Sequence, residues 1–365
     1  MDTAAAARTP VSIITGFLGS GKTTLLNHLL QDPAMAGAAV IINEFGAVSL
    51  DHLLIATPNE NTVLLTSGCI CCTLRGDLVD TLRGLDRQRR DGALPPFDRV
   101  LIETSGLADP VPIMQSVVAD EQLAPRFAMD GVVTLVDAVH GMLQLDQQSQ
   151  AVKQAAVADQ LLLTKTDLAP VSAALHARLT RINPGAQQLT VCNGQIAAAG
   201  LFGAGLEGLG AQADAGRLAR WLSVADVARA EGLHEDPRHN DGVRAYALML
   251  DAPVSRAGMT AWLTALASLR GAHLLRVKAL LNVDGNPVVV HAVQTLIHEP
   301  LALARWPDAD HRSRLVFITR ELSRAAIENT LDLLRLRSAN PLHTSAQPLD
   351  PKAYATFVAA LQKIR

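Results

Sequence analysis

The sequence predicts an α/β protein, a doubly wound and mostly parallel sheet followed by a smaller α+β domain. Two observations predict the first part. Between Val11 and Val191 short β-branched runs alternate with longer helical stretches, and several runs are apolar at every position, as strands covered on both faces are. A third predicts the second part. From Gly242 onward an alternating strand, an amphipathic helix and an Asp-Gly hairpin signal follow one another.

The strands of the first part are VSIIT from Val11, AAVIIN from Ala38, TVLLT from Thr62, RVLIET from Arg99, GVVTLVDA from Gly131, QLLLTK from Gln160 and QQLTV from Gln187. Helical length or spacing places helices over 22–30, 74–90, 111–118 and 171–182. Asn193 to Asp241 gathers Gly200, Gly203, Gly205, Gly208, Gly210 and Gly216 and the polar run HEDPRHND, which reads as a partly ordered linker. In the second part RAYALMLD is a strand and RAGMTAWLTALASL a helix. LLRVKALLNV and PVVVHAV pair across Asp284-Gly285-Asn286, and RLVFIT with SRAAIENTLDLL completes the unit. The expected organisation is a disordered segment 1–10, a first domain 11–192, a linker 193–241, a second domain 242–340 and a helical tail 341–365.

Of 365 residues, 49% are apolar and 18% charged, too apolar for a disordered chain and enough for more than one core. Lys and Arg number 32 against 35 Asp and Glu, a net charge of -3, and aromatics make up 3%. With no positive field and few stacking platforms, nucleic acid is excluded as the expected partner. The opening MDTAAAARTP has no apolar core of a leader, and the uncharged window 184–206 is broken by Gln187, Gln188, Asn193, Gln195 and glycines. A cytoplasmic protein without a membrane span is expected. Four cysteines are too few for a disulfide framework, yet three are packed into Cys69, Cys71 and Cys72.

VSIITGFLGSGKTTLLNHLL sets G-x-x-x-x-G-K-T, Gly16 to Thr23, between a strand and a helix. Gly16, Gly19 and Gly21 permit a path that turns backbone N–H groups inward, and the helix N-terminus adds its positive end to the same phosphate site. Lys22 then reaches the terminal phosphates and Thr23 the Mg²⁺. Thr164, Lys165, Thr166 and Asp167 follow a strand. Asp167 can accept the ring and amino N–H groups of guanine while the Lys165 stem covers the purine, which favours GTP over ATP. Thr164 stands where Asn is more usual.

RVLIETSGLADP ends a strand at Glu103, whose carboxylate can hold Mg²⁺ directly or through water or sit in a salt bridge, and Gly106 can bring its N–H to the γ-phosphate. The segment 106–112 is then a switch. Leu107 in place of Gln leaves no side chain there to orient the attacking water, so hydrolysis is expected to be slow or the water held from elsewhere.

Thiolates are soft ligands for Zn²⁺ or Cu(I), and Cys69, Cys71 and Cys72 can chelate one ion with a fourth position open. Buried structural thiols and a redox pair joining Cys69 to Cys71 or Cys72 are the alternatives. Glu44, after the second strand, can add an oxygen ligand. Cys192 reads as buried and inert, His234 and His239 as solvated linker, His291 and His298 as core or surface histidines, and His140 as lying at the end of the sheet where ligands bind.

In this order, GFLGSGKTT, INEFG, GCICCTLRGDL, ETSGLADP, VTLVDA and TKTD resemble the CobW-type P-loop GTPases, metallochaperone relatives of the hydrogenase and urease nickel-insertion GTPases. The second domain resembles that family's C-terminal domain, so the resemblance runs from Val11 to about Leu334. It implies a P-loop NTPase fold. It also implies GTP hydrolysis coupled to metal binding at the CxCC motif and delivery to a client metalloprotein, with Zn²⁺ the usual cargo and Co²⁺ in some members. Gly16, Phe17, Leu18, Gly19, Ser20, Gly21, Lys22, Thr23 and Thr24 would bind phosphates and Mg²⁺, and Cys72, Thr73, Leu74, Arg75 and Gly76 would pass close to the nucleotide. Glu103 would stand for the second acidic motif and Thr164 to Asp167 for base recognition. Ala47 replaces a carboxylate common in the family, and the linker has only His234 and His239 where many members are histidine-rich. A metal sensor or store with a vestigial GTPase is the alternative from another class.

Overall fold

The computed structural model describes residues 8–43, 63–67, 76–198, 200–203, 205–210, 213, 215–231, 241–268 and 273–336. Seven strands form the first sheet among these residues: β1 (Thr9–Gly16), β2 (Ala38–Asn43), β3 (Val63–Ser67), β4 (Arg99–Glu103), β5 (Phe127–Asp137), β6 (Gln160–Thr164) and β7 (Gln187–Thr190). Their order is β3-β2-β4-β1-β5-β6-β7 and each neighbouring pair is parallel. The seven runs read from the sequence are thus the seven strands, and a fully parallel sheet explains why several of them are apolar without alternation.

Parallel pairing needs crossovers, which helices supply. These are α1 (Lys22–Leu29), α2 (Gly76–Arg90), α3 (Val111–Ala119), α4 (Gly141–Gln147), α5 (Ser149–Val157) and α6 (Ala173–Ile182), and α7 (Leu206–Leu209) follows the last strand. Leu25, Leu26 and Leu29 of α1 pack with Ile14, Val40, Leu101, Leu135 and Leu162 of the sheet. The helices α4 and α5 are absent from the sequence expectation. Both are short and neither has a side-chain N-cap, so they carry no start signal. By contrast α6 starts where Ser172 accepts the Leu175 N–H.

The chain winds from β1 to one side through β2 and β3, returns to β4 beside β1, then continues through β5 to the other side. The carboxyl end of β1 therefore lies at the reversal of winding, flanked by the ends of β4 and β5. Open parallel sheets bind ligands at such a point.

The chain divides into two compact units, Met1–Leu209 and Gly210–Arg365. Within 193–241 the described residues include α7 of the first unit and, in the second, α8 (Ala215–Leu222) and α9 (Val224–Glu231). The second unit continues with β8 (Val243–Leu250), α10 (Arg256–Ser268), β9 (Leu274–Val283), β10 (Asn286–Val293), β11 (Leu296–Ile297), β12 (Leu301–Ala302), β13 (Ser313–Arg320) and α11 (Arg324–Leu331). Its antiparallel sheet runs β11-β10-β9-β13-β8, with β12 also on β10. The β9–β10 turn uses Asp284 and Gly285 at φ 50° and 90°, the left-handed pair that a tight two-residue hairpin requires.

One face packs Val277, Ala279, Leu281, Val290, Leu315 and Phe317 against Trp262 and Ile327. On the other, His291 and His298 are buried and stacked 4.5 Å apart. Burial, and then the charges of His298, Arg276 and Lys278, hold His291 well below the usual imidazole range. This is the core reading of that pair.

Candidate nucleotide site

Phosphate binding requires backbone donors to converge without side chains in the way. At Gly16, φ 145°, an added Cβ would lie 2.5 Å from the Leu135 carbonyl oxygen and 2.7 Å from Ser20 Oγ, so only glycine fits the exit of β1. The helix N-cap, Gly21, is left-handed and supplies no side-chain cap, which leaves the first-turn N–H groups of α1 to a ligand. Lys22 Nζ donates to the carbonyls of Gly16 at 3.0 Å and Phe17 at 3.3 Å, folding the lysine over the loop. Ser20 Oγ is buried without a hydrogen-bond partner among the described residues.

The neighbouring strand completes this side. Register pairs Ile14 with Glu103, bringing the carboxyl end of β4 beside the loop. Thr23 Oγ1 lies 3.4 Å from Glu103 Oε1, and the carboxylate is buried. Thr104 is fixed by its N–H to the Ile14 carbonyl at 3.0 Å and by its hydroxyl to Thr15 Oγ1 at 2.7 Å. Ser105 Oγ is a second buried hydroxyl without a partner among the described residues. Gly106 then rests on the loop itself, since an added Cβ there would meet Leu18 N at 2.6 Å.

On the other side of β1 the predicted base segment begins at the end of β6. Thr164 is buried and its hydroxyl donates to the Ser20 carbonyl at 2.7 Å, tying this segment to the phosphate loop. The hydroxyl in place of the usual Asn has this structural use. Lys165 has φ 59° and its ammonium donates to Asp137 Oδ2 at 2.7 Å. Thr166 Oγ1 donates to the Val191 carbonyl at 3.2 Å, and Asp167 is exposed beyond it. Asp137 is buried and also accepts the N–H groups of Val139 and His140. Burial raises its pKa, but the bonds from Lys165, Val139 and His140 outweigh it and hold the carboxyl below its ordinary value. His140 is exposed, with Nδ1 3.1 Å from the same carboxylate.

The fold thus gathers the segment from Gly16 to Thr24, Glu103, Gly106 and the residues from Thr164 to Asp167 at the carboxyl ends of β1, β4 and β6. Glu44, Ala47, Cys69, Cys71, Cys72, Thr73, Leu74, Arg75, His234 and His239 lie outside the described residues. Gly76 opens α2. Among the described residues no group of three His, Cys, Asp or Glu could hold a metal ion.

Cys192 corrects an expectation, since it is exposed. It bridges to Gln195 across Asn193 and Gly194, both at positive φ, and this tight turn carries the thiol off the strand end. Asp137, Gln150 and Gln154 are site residues that motif reading did not single out as such, because their partners are far away in sequence.

A phosphate loop, a strand-end carboxylate beside its threonine, and a base-side segment bonded to the loop define the class, a P-loop GTPase. Residues 10–190 match the CobW/HypB/UreG nucleotide-binding domain and residues 243–335 the cobalamin synthesis protein cobW C-terminal domain. The chain belongs to this family. It is 37% identical over 327 residues to the zinc chaperone YjiA of Escherichia coli (strain K12), covering 89% of this chain and 98% of that one. With the zinc chaperone CobW of Sinorhizobium sp it shares 30% over 362 residues, covering 89% and 97%. It is similar to the crystal structure of Zn(II)-bound YjiA GTPase from E. coli at a TM-score of 0.68 and 32% identity, covering 90% of this chain and 100% of that one. No helix among the described residues is long and apolar enough to cross a membrane.

Proposed function

We propose that this GTPase is a cytoplasmic metal chaperone. It takes up Zn²⁺ through Cys69, Cys71 and Cys72, with Glu44 as an additional oxygen ligand, and uses GTP to govern its release to a client metalloprotein. The observation that carries the reading is topological. The three thiols fall in the connection 68–75, between the carboxyl end of β3 and the start of α2, and β3 stands three places from β1 in the sheet, about 14 Å by strand spacing. A connection anchored that near the phosphate loop can be tightened or loosened by the nucleotide. The relatives named zinc chaperones favour Zn²⁺, and Co²⁺, which the family resemblance also implies, is the second ion to test.

The residues fit the nucleotide and its Mg²⁺. Cis oxygens around Mg²⁺ stand about 3 Å apart, and Thr23 Oγ1 and Glu103 Oε1 are within reach of that spacing at 3.4 Å. Bound there, Mg²⁺ supplies charge neutralisation at the β- and γ-phosphates. Lys22 gives up the Gly16 and Phe17 carbonyls for the phosphates, and the buried hydroxyls of Ser20 and Ser105 gain the acceptors they lack. Gly106 turns its N–H to the γ-phosphate. Phe17, Leu18, Gly19, Gly21 and Thr24 complete the cradle, and Cys72 to Gly76 are the further residues we assign to nucleotide binding. Thr164, Lys165 and Thr166 set the position of Asp167, which accepts the two guanine N–H groups.

If GTP changes metal affinity, metal must change GTP affinity by the same factor. The test is Zn²⁺ and Co²⁺ affinity of the reduced protein in its apo, GDP and GTP-analogue forms, with Cys71→Ala as control. Unequal affinities, and a Cys71→Ala protein that loses metal while keeping GTP, are expected. Equal affinities in all three forms would end the coupling. GTP turnover indifferent to metal would favour a sensor or store.

A further inference from the structure

We propose that Gln154 is a positioning residue for GTP hydrolysis, holding the turn after Glu103 against the phosphate loop from behind. The inference rests on the switch reading of Gly106 and names what sets that switch. Gln154 lies on α5 with no exposed surface. Its Nε2 donates to the carbonyl oxygens of Gly106 at 3.3 Å and Ala108 at 3.0 Å, and Gln150, one turn earlier, donates to Ala108 at 2.7 Å. The turn is closed by the Ala108 N–H on the Ser105 carbonyl at 3.1 Å. Its other side is the contact of Gly106 with Leu18. The α5 backbone is in turn tied to β5, where the Thr134 hydroxyl donates to the Gln154 carbonyl at 2.9 Å.

Two carbonyl oxygens facing the side-chain amide fix its orientation, because only the NH₂ end can donate to them. The Oε1 end is left buried without a hydrogen-bond partner among the described residues. A glutamine kept only for packing would satisfy both ends, since a buried unpaired acceptor is costly. Here the acceptor is left unmet while the donor serves the turn.

The consequence for the switch follows from peptide geometry. In a trans peptide the carbonyl and the next N–H point in opposite directions, and no cis peptide occurs among the described residues. Holding the Gly106 carbonyl toward α5 therefore turns the Leu107 N–H away from that helix and fixes one of the two peptide planes at Gly106, the residue whose own N–H the switch reading aims at the γ-phosphate. Fixed donors stabilise developing charge without reorganising during the reaction. Gln154 itself is too buried to touch water or phosphate, so it acts through the turn. It also joins the turn to the helix that leads into β6 and the base segment.

The experiment compares wild type with Gln154→Leu, similar in size without a donor, and Gln154→Glu. For Gln154→Leu, kcat for GTP is expected to fall about tenfold while KM and the affinity for a non-hydrolysable GTP analogue stay within about twofold, the loss following from misplaced donors. In Gln154→Glu the buried carboxyl has a raised pKa, and only its protonated form can donate to the carbonyls. Its kcat relative to wild type should rise as pH is lowered, which a packing role would not produce. An unchanged kcat in Gln154→Leu, or a flat Glu to wild-type ratio across pH, overturns the proposal. If Gln154→Leu does not fold, Gln150→Ala removes the second bond to Ala108 from a half-buried side chain. A drop in kcat of about threefold is expected there, and no drop overturns the proposal. A wild type that hydrolyses no GTP would overturn the switch reading as well, whereas an active wild type with unaffected variants overturns only the role of Gln154.

Discussion

The two flanks of β1 differ in what they leave undone. Toward β4, the hydroxyls of Ser20 and Ser105 are buried without hydrogen-bond partners among the described residues, and Lys22 is bonded to carbonyls of its own loop. Toward β6, Asp137 is saturated by Lys165, His140 and two backbone N–H groups, and Thr164 is already bonded to the Ser20 carbonyl. On the proposed reading of the site, the base side is built in advance and the phosphate side is completed by its ligand. That division suits a switch, because the flank that reads the constant part of the nucleotide can be rigid while the flank that reads the γ-phosphate keeps unmet polar groups.

The comparison is broken most severely at the phosphate side. Lys22→Ala removes the cation that exchanges loop carbonyls for phosphates, and GTP affinity should fall by about a hundredfold or more, as expected for charge-assisted bonds to phosphate. Because Lys22 is only half-buried and its apo bonds are to carbonyls at the loop, the thermal midpoint without nucleotide should move little. Titration calorimetry with a GTP analogue, alongside melting curves, checks both halves. A large fall in the apo midpoint would mean that the lysine also serves the fold.

On the base side the order should reverse, with stability affected more than nucleotide contact. Asp137→Asn removes the charge that orders Lys165 and weakens four converging hydrogen bonds, at a cost of about 1–3 kcal/mol. The sign of the pH dependence follows from the depressed pKa of Asp137. The ionised carboxylate contributes fully above its unfolded pKa of about 3.9, and the contribution is lost as pH falls through the lower folded value. The stability gap between wild type and Asp137→Asn, measured by denaturant melts, should be constant near neutrality and close below about pH 4. A gap that persists below that range would show that packing, not charge, is what Asp137 provides.

How far the sequence displays this division depends on range. The phosphate loop, the Glu103 strand end and the Thr164 to Asp167 segment are legible because each motif lies within a few residues and sits at a strand end that continuous apolar runs reveal. The Asp284-Gly285 hairpin is legible for the same reason. The Lys165 bond to Asp137 spans 28 residues and the Gln154 bond to Gly106 spans 48. Asp137 lies in the VTLVDA run, but nothing local gives it a partner, and an isolated glutamine in a helix without a cap reads as surface. Cys192 departs from the buried position its strand-end place predicts because burial there depends on the turn that follows, and Asn193-Gly194 reads in sequence as the start of a linker.

The smallest effect tests the bond that joins the two flanks. Thr164→Val keeps the shape of the side chain and loses the hydroxyl that donates to the Ser20 carbonyl. One buried hydrogen bond contributes about 1 kcal/mol, and the carbonyl left behind is part of the phosphate loop. If the base side only holds guanine, affinity for GDP and for a GTP analogue should weaken equally, by about fivefold or less. If the bond also carries the state of the phosphate loop across β1, the two affinities should shift unequally, because only the GTP analogue completes the flank toward β4. Equal binding of both nucleotides to wild type and variant would show that the rigid flank and the responsive flank are independent, and that the hydroxyl does no more than replace the asparagine usual at that position.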